Sequence, residues 1–357
     1  MINYWQQEEG KLVKLNEEDL DRRKTTWIDA RNVTRDDIEI LETKFDIDKD
    51  TIIDILDPDE LARIEQIEEK NQTLTLIKLP VFSPNSDIQY FTAPVGVITK
   101  DKTIVTICWT DSEVLKDFST NRVANLALKD STAFTIRIMA RADWTFLRYL
   151  KEINRRATTI QNEMFAAVEN KEFVQLLNLQ KSLVFFSTSL KSNQLLLEKI
   201  RKSKILRLDE EDQDWLDDVE IDSKQAMEMA DTYMNIMSQM NDAFASVLSN
   251  NLNIIMKKMT LISLVLMIPT FITSFWGMNI PLPWMNSGWL GMVAISCLCL
   301  GTGLIGWWML MGSTKTAQRA KQKKKNFKQY KAEKKQKKLI QIAEKKAEKI
   351  TQKHIKN

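Results

Sequence analysis

Met259–Trp276 reads MTLISLVLMIPTFITSFW, eighteen residues without a charge, preceded by Lys257-Lys258 and followed by Gly277-Met278-Asn279. That run is long enough to cross a bilayer as a helix. Trp289–Met311 (WLGMVAISCLCLGTGLIGWWMLM) gives a second uncharged stretch of 23 residues, with Trp near both ends where interfacial aromatics belong. Only Gly277–Gly288 (GMNIPLPWMNSG) lies between them. From Lys315 to the end the chain carries 17 Lys+Arg against 3 Asp+Glu, a net of +14. Cations flank both spans on their outer sides, so the positive-inside rule predicts a helical hairpin with both termini cytoplasmic.

Upstream of the first span the chain permits one very long helix. After the acidic run Asp209–Asp222 (DEEDQDWLDDVEID) there is no Gly or Pro until Pro269. A helix from about Asp214 to Trp276 would be ~95 Å long at 1.5 Å per residue. A stalk entering a membrane needs that length, whereas a globular core does not. Stepping back from Ser274 by alternating three and four residues gives Thr270, Met267, Ser263, Thr260, Met256, Asn253, Ser249, Ser246, Asp242, Gln239 and Asn235. All are polar or Met, at the 3.5-residue spacing where a soluble coiled coil would place Leu, Ile or Val. Two readings follow. Small polar residues allow close helix packing and hydroxyls bond their own backbone. Alternatively, several copies surround an axis and turn the stripe towards a wet pore. Two spans cannot enclose a pore, so the second reading requires an oligomer.

The first 120 residues alternate short β-like and helical runs. Thr25–Asn32, Thr73–Val81, Ala93–Ile98 and Thr103–Trp109 are predicted strands. Thr34 with Asp37 makes a capping box before Ile38, Leu41 and Phe45 at helical spacing. From about Ala133 to Ile205 two amphipathic helical stretches follow, separated near Glu169–Lys171.

Composition narrows the chemistry. A mean hydropathy of -0.29 excludes a chain that is apolar throughout. The single histidine, His354, sits in the basic tail, which removes histidine-based catalysis and His-ligated zinc or iron. Cys108, Cys297 and Cys299 form no CxxC pair, so a disulfide framework is not expected. Met1–Asn16 has no signal-peptide pattern. With no P-loop, GxSxG or HExxH, an enzyme is not expected.

Gly277-Met278-Asn279, closing a long Lys-preceded helix and followed by a short loop and a second span, resembles the CorA family of magnesium channels. Trp27-Ile-Asp29, Asp54–Glu60 with Arg63-Ile-Glu65, and the Val97–Thr106 strands look like that family's N-terminal α/β domain. The resemblance implies an α+β membrane protein that assembles as a homopentameric funnel. It implies that Gly277, Met278 and Asn279 form the selectivity filter, with Asn279 holding a hydrated Mg2+. Thr270, Met267, Ser263, Met256, Asn253 and Asp242 then line the pore. At one level the family position falls on Met259 where the stripe passes through Thr260. Asp218 resembles a regulatory magnesium ligand, with Asp87 as its candidate partner from a neighbouring subunit. Many relatives carry an acidic residue after the tripeptide. Ile280–Gly288 has no charge, so capture of the ion rests on Asn279 and Asn286.

Magnesium dehydrates reluctantly and prefers octahedral oxygen coordination. A ring of amide carbonyls suits its hydration shell, and the Met side chains favour softer metals. Passive Mg2+ uptake gated by cytoplasmic Mg2+ is the expectation. Zinc, cobalt or nickel transport on the same fold is the nearest alternative, and a membrane-tethered coiled-coil sensor is the alternative of another class. The expected divisions are a cytoplasmic α/β domain (1–130), a helical hairpin (131–208), an acidic segment and stalk (209–258), the first span (259–276), the outer loop (277–288), the second span (289–312) and a basic cytoplasmic tail (313–357). The expected location is the plasma membrane. The tail is either a solvated extension or a contact for anionic lipid headgroups. Nucleic acid is not an expected partner, because aromatic interleaving in the tail is limited to Phe327 and Tyr330.

Overall fold

The computed structural model describes residues 1–123, 126–166, 170–203, 205–278, 288–306 and 308. They fall into two compact units, Met1–Ser246 and a second from Val247 onward.

The first unit is built on a seven-stranded sheet. Its strands are β1 (Ile2–Glu8), β2 (Lys11–Leu15), β3 (Thr26–Arg31), β4 (Arg63–Ile67), β5 (Gln72–Phe82), β6 (Tyr90–Lys100) and β7 (Thr103–Cys108), in the order β2-β1-β3-β7-β6-β5-β4. Only β3 and β7 pair in parallel, with Trp27 opposite Ile104; every other neighbouring pair is antiparallel. The four predicted strands are present as β3, β5, β6 and β7. β1 (INYWQQE) and β2 (KLVKL) are additional, on the polar N-terminal segment, and β4 pairs with β5 at the opposite edge.

Both faces of the sheet are covered, and side-chain alternation decides which residue serves which face. Ile28, Leu74, Leu76, Ile98, Val105 and Ile107 pack with α1 (Arg35–Phe45) and α2 (Lys49–Leu56). The Thr34–Asp37 capping box forms in both directions at the start of α1. Gly96 on β6 lies so close beneath Ile55 of α2 that a side chain there would collide with it. The opposite face puts Trp27, Ile77, Leu79, Val95, Val97 and Ile104 into one core. Residues of α3 (Glu113–Ser119), α4 (Ser131–Ala166), α5 (Asn170–Lys202) and the first turns of α6 (Glu210–Trp276) complete it.

A polar chain runs through that core. Trp27 Nε1 donates to Thr106 Oγ1 at 3.0 Å, and Thr106 donates to Asp29 Oδ1 at 3.4 Å. Asp29, wholly buried, receives Arg31 Nε at 2.9 Å and Nη2 at 2.5 Å. This is why Trp27-Ile-Asp29 forms a unit: a buried carboxylate is tolerated only when paired and hydrogen-bonded.

Beyond the sheet, α4 and α5 pack against α6 through Phe146, Ile153, Leu183, Phe186, Ala226 and Ala230. Ala226 and Ala230 let the backbones approach closely. Ser187 Oγ donates to Asp231 Oδ1 at 2.9 Å, and Arg201 pairs with Asp217 and Glu220. Part of the acidic run is therefore paired. Asp212 departs furthest from a solvated face, because it is buried at the N-terminus of α6.

In the second unit the end of α6 packs against α7 (Trp289–Gly306). Both helices are long and apolar enough to cross a membrane. A Cβ at Gly306 would lie 2.9 Å from Val265 Cγ2, and Cys299 Sγ donates to the Pro269 carbonyl at 3.9 Å. Gly277 N–H bonds back to Thr273 O (3.0 Å) and Ser274 O (3.2 Å) as α6 ends.

Candidate functional site

In the second unit the partly covered residues of α6 are Val247, Leu261, Val265, Pro269, Ile272 and Trp276. At 100° per residue all of these lie within roughly 40° of Val265, the residue that meets Gly306. Ser274, Met267, Ser263 and Met256 lie roughly 160–180° away on the same helical wheel, with Thr270 and Thr260 at roughly 140°. The polar stripe therefore occupies the face opposite α7. Asn253, Met256, Thr260, Ser263, Met267, Thr270 and Ser274 are all exposed in the protomer, as is Met259. Met259 lies about 120° from Val265, on the flank of the stripe.

Several hydroxyls have already committed their protons. Thr260 Oγ1 donates to Met256 O at 2.9 Å and Thr270 Oγ1 to Leu266 O at 2.8 Å. A hydroxyl that donates to its own helix keeps lone pairs to accept with. The stripe therefore presents oxygen acceptors and thioethers.

In the first unit, Asn235, Gln239, Asp242 and Ser246 are exposed on α6, and Ser246 Oγ donates to Asp242 O at 2.9 Å. Asp218 is exposed on the same helix. Asp87 lies in the β5–β6 connection, at an open cavity of about 1070 Å³ shared with Arg155, Arg156 and Lys171. Met278 and Gly277 are described and exposed, whereas Asn279, Asn286 and the rest of Ile280–Ser287 lie outside the described residues, as do Met309–Met311 and the basic tail.

Sequence reasoning passed over one carboxylate cluster. Oxygens of Asp130, Asp209 and Asp212 lie within 4.8 Å of one another. Asp130 Oδ1 accepts from Thr132 N and Ala133 N at the start of α4, and Asp209 Oδ1 accepts from Asp212 N at the start of α6. They serve as caps on two helix N-termini, whose partial positive charge favours carboxylates. Burial is the main cause of the raised Asp212 pKa. The bond from Asp209 N opposes it, and the nearby carboxylates add to it. The D-x-x-D spacing of Asp209 and Asp212 was the available signal for a cap.

A mixed sheet under helices, a helix of 67 residues ending in an apolar span with one polar face, and a second apolar helix packed behind that span define a two-span membrane protein of transporter architecture. Residues 22–324 match the family model described as CorA-like Mg2+ transporter protein, and the chain belongs to that family. It is similar to the cobalt/magnesium transport protein CorA of Methanocaldococcus jannaschii, at 25% identity over 280 residues, covering 76% of this chain and 86% of the relative. The complete structure of the CorA magnesium transporter from that organism has the same fold, with a TM-score of 0.68 at 23% identity, covering 87% of this chain and 96% of the other. The full-length CmaX structure also shares the fold, with a TM-score of 0.61 at 13% identity and the same coverages, 87% and 96%.

Proposed function

We propose that the protein is a divalent-cation transporter that passes Mg2+ down its electrochemical gradient through a homopentameric pore lined by the polar face of α6. The observation that carries this reading is the placement of that face opposite the α7 contact. An anchor that only filled lipid would have no use for Ser263, Met267, Thr270 and Ser274 on one exposed face at membrane depth.

The chemistry of the stripe suits a hydrated ion. Water molecules in the first shell of Mg2+ point their hydrogens outward, so the wall must supply acceptors. Thr260 and Thr270, with their protons turned back onto the helix, supply lone pairs, and Asn253 adds an amide carbonyl. Such contacts hold the hydrated ion weakly at several levels, which conduction requires. Met256 and Met267 form apolar collars in this arrangement and gate by dewetting. Gly277-Met278-Asn279 is the proposed filter, with Asn279 as its amide ring. Asp242 is the proposed carboxylate ring on the approach.

The proposed orientation is cytoplasmic for both termini, in the plasma membrane. The proposed division of the chain is that given by the segment boundaries 1–130, 131–208, 209–258, 259–276, 277–288, 289–312 and 313–357. Regulation by cytoplasmic Mg2+ is proposed at Asp218. Asp87 is the proposed partner of Asp218 at that site, from a neighbouring subunit. The tail is proposed to meet anionic headgroups.

The test is flux. The purified protein is reconstituted in liposomes and Mg2+ entry is followed with an internal indicator, with Co2+, Ni2+ and Zn2+ as competitors. Mg2+ entry that is lost in Asn279→Ala supports the pore and its filter. Zn2+ flux without Mg2+ flux moves the substrate, and no flux of any ion from intact oligomers overturns the reading.

A further inference from the structure

Met256 and Met259 stand three residues apart on α6, each 65% exposed, with Lys257 and Lys258 between them. On the helical wheel Met256 lies opposite Val265 and Met259 roughly 60° from Met256, whereas Lys258 lies roughly 20° from Val265 and Lys257 roughly 80°. The two lysines therefore sit on the side of the α7 contact and the two thioethers on the side away from it. Residues three apart are neighbours on a helix surface, with Cβ atoms about 5–6 Å from each other. A methionine has enough rotatable bonds to bring its sulfur across that gap. Neither sulfur is engaged among the described residues, since Thr260 Oγ1 bonds the backbone carbonyl of Met256 and leaves its side chain free. By contrast, Met234, Met237 and Met240 pack into the core of the first unit.

An apolar collar needs no sulfur. Ile255, Ile262 and Leu264 are exposed on the same stretch of α6, and side chains of that kind dewet a constriction equally well. What a thioether adds is a soft lone pair, which suits a soft ion such as Cu(I) and is ignored by hard, strongly hydrated Mg2+. We propose that Met256 and Met259 form a site for a soft monovalent d10 cation, Cu(I) or Ag(I), whose binding blocks the ion path. One copy supplies two thioethers, which meets the low coordination number of such ions, and further copies around an axis supply more. Thioethers are neutral, so the bound ion keeps its charge and repels a divalent cation at that level. Met267 lies on the same face but has no second methionine within a turn of it on α6, so it offers no such pair. The block rests on the pore reading given above, whereas the site itself lies within one chain.

The experiment adds Ag+ as its nitrate, in chloride-free medium, to liposomes carrying the full-length protein. The parent is compared with a Cys297→Ser, Cys299→Ser background that removes the thiols of α7, while Cys108 is wholly buried in the first unit. The Mg2+ entry rate without silver is read first on every variant. In both parent and background, silver is expected to lower that rate at least about tenfold, which takes ~1.4 kcal/mol of added barrier at a fixed unit charge. Met256→Leu with Met259→Leu nearly conserves side-chain volume, and silver should leave its rate within about twofold of its own silver-free value. Silver retained by the desalted protein, measured by elemental mass spectrometry, should fall in the same double variant. Met292→Leu, exposed on α7, should leave both readings as in the parent. Mg2+ entry that silver does not slow overturns the proposal. So does a block that survives the double methionine substitution, or one absent once the two cysteines are replaced. Where no Mg2+ enters even without silver, the pore reading falls, and silver retention unchanged by the double substitution overturns the site as well.

Discussion

Gly306 meets Val265 so closely that a single added methyl would lie 2.9 Å from Val265 Cγ2 and 3.0 Å from Cγ1. The contact fixes which face of α6 turns towards α7, and with it which face is left for the proposed ion path. Gly306→Ala is expected to cost about 1–3 kcal/mol of helix packing, because Val265 is stiff at χ1 and cannot swing aside. Gly301 and Gly303 meet nothing within 4 Å in the protomer, so their Ala variants should unfold at or above the temperature of the parent, since Ala favours the helix over Gly. Thermal unfolding in detergent, read on the three variants side by side, checks the contrast.

Opposite that contact, Ser263→Leu and Thr270→Leu replace acceptors with apolar bulk. Flux should fall at least about tenfold while the oligomer survives, since the change faces away from α7 and removes acceptors the hydrated ion needs. Leu264→Val, off the stripe, should leave flux within about twofold. Oligomer mass and liposome flux measured on the same preparations separate a blocked path from failed assembly.

In the soluble unit, Arg31 neutralises the wholly buried Asp29. Arg31→Met leaves that carboxylate unpaired and should destabilise the unit by about 3–5 kcal/mol. Adding Asp29→Asn removes the stranded charge and should recover part of the loss. Denaturant unfolding of the two variants tests whether the pair acts through charge.

Asp143 on α4 is buried, and its pKa is held well above the usual carboxylate range, first by burial and second by the Asp222 carboxylate. The folded state therefore binds this proton more tightly than the unfolded chain. The native state is free of the penalty below the ordinary carboxylate pKa, and stability drains as pH rises towards the raised folded value. Asp143→Asn does not titrate. Its melting temperature should match the parent in acid and exceed it increasingly towards neutral pH. A constant difference across pH 4–8 would contradict this.

Local patterning made much of this architecture legible. An uncharged run of eighteen residues, lysines on its near side and an unbroken helical phase behind it suffice for a span and its stalk, because hydropathy and period are one-dimensional properties. The Thr34–Asp37 box and the β-branched strands were readable for the same reason. β1 and β2 were not. INYWQQE and KLVKL carry no clean apolar alternation, and their strand state comes from pairing to each other and to β3. Asp212 reads in isolation as one more acid on a solvated face, yet it is buried as a cap.

The sequence alone determined that α6 has a polar stripe, since that is a matter of spacing. It could not say where the stripe points. That depends on which residues of α6 touch α7, and the decision is made by the missing side chain of Gly306 opposite Val265, two residues 41 positions apart. A cavity of about 450 Å³ bordered by Leu61, Lys78, Phe91, Trp109 and Phe185 has the same origin. Its walls come from the segment after α2, three positions on the sheet and α5, and only the packing of α5 across the sheet brings them together. Periodicity along one helix survives any tertiary arrangement, whereas contacts between distant segments exist only once a particular packing has excluded the others.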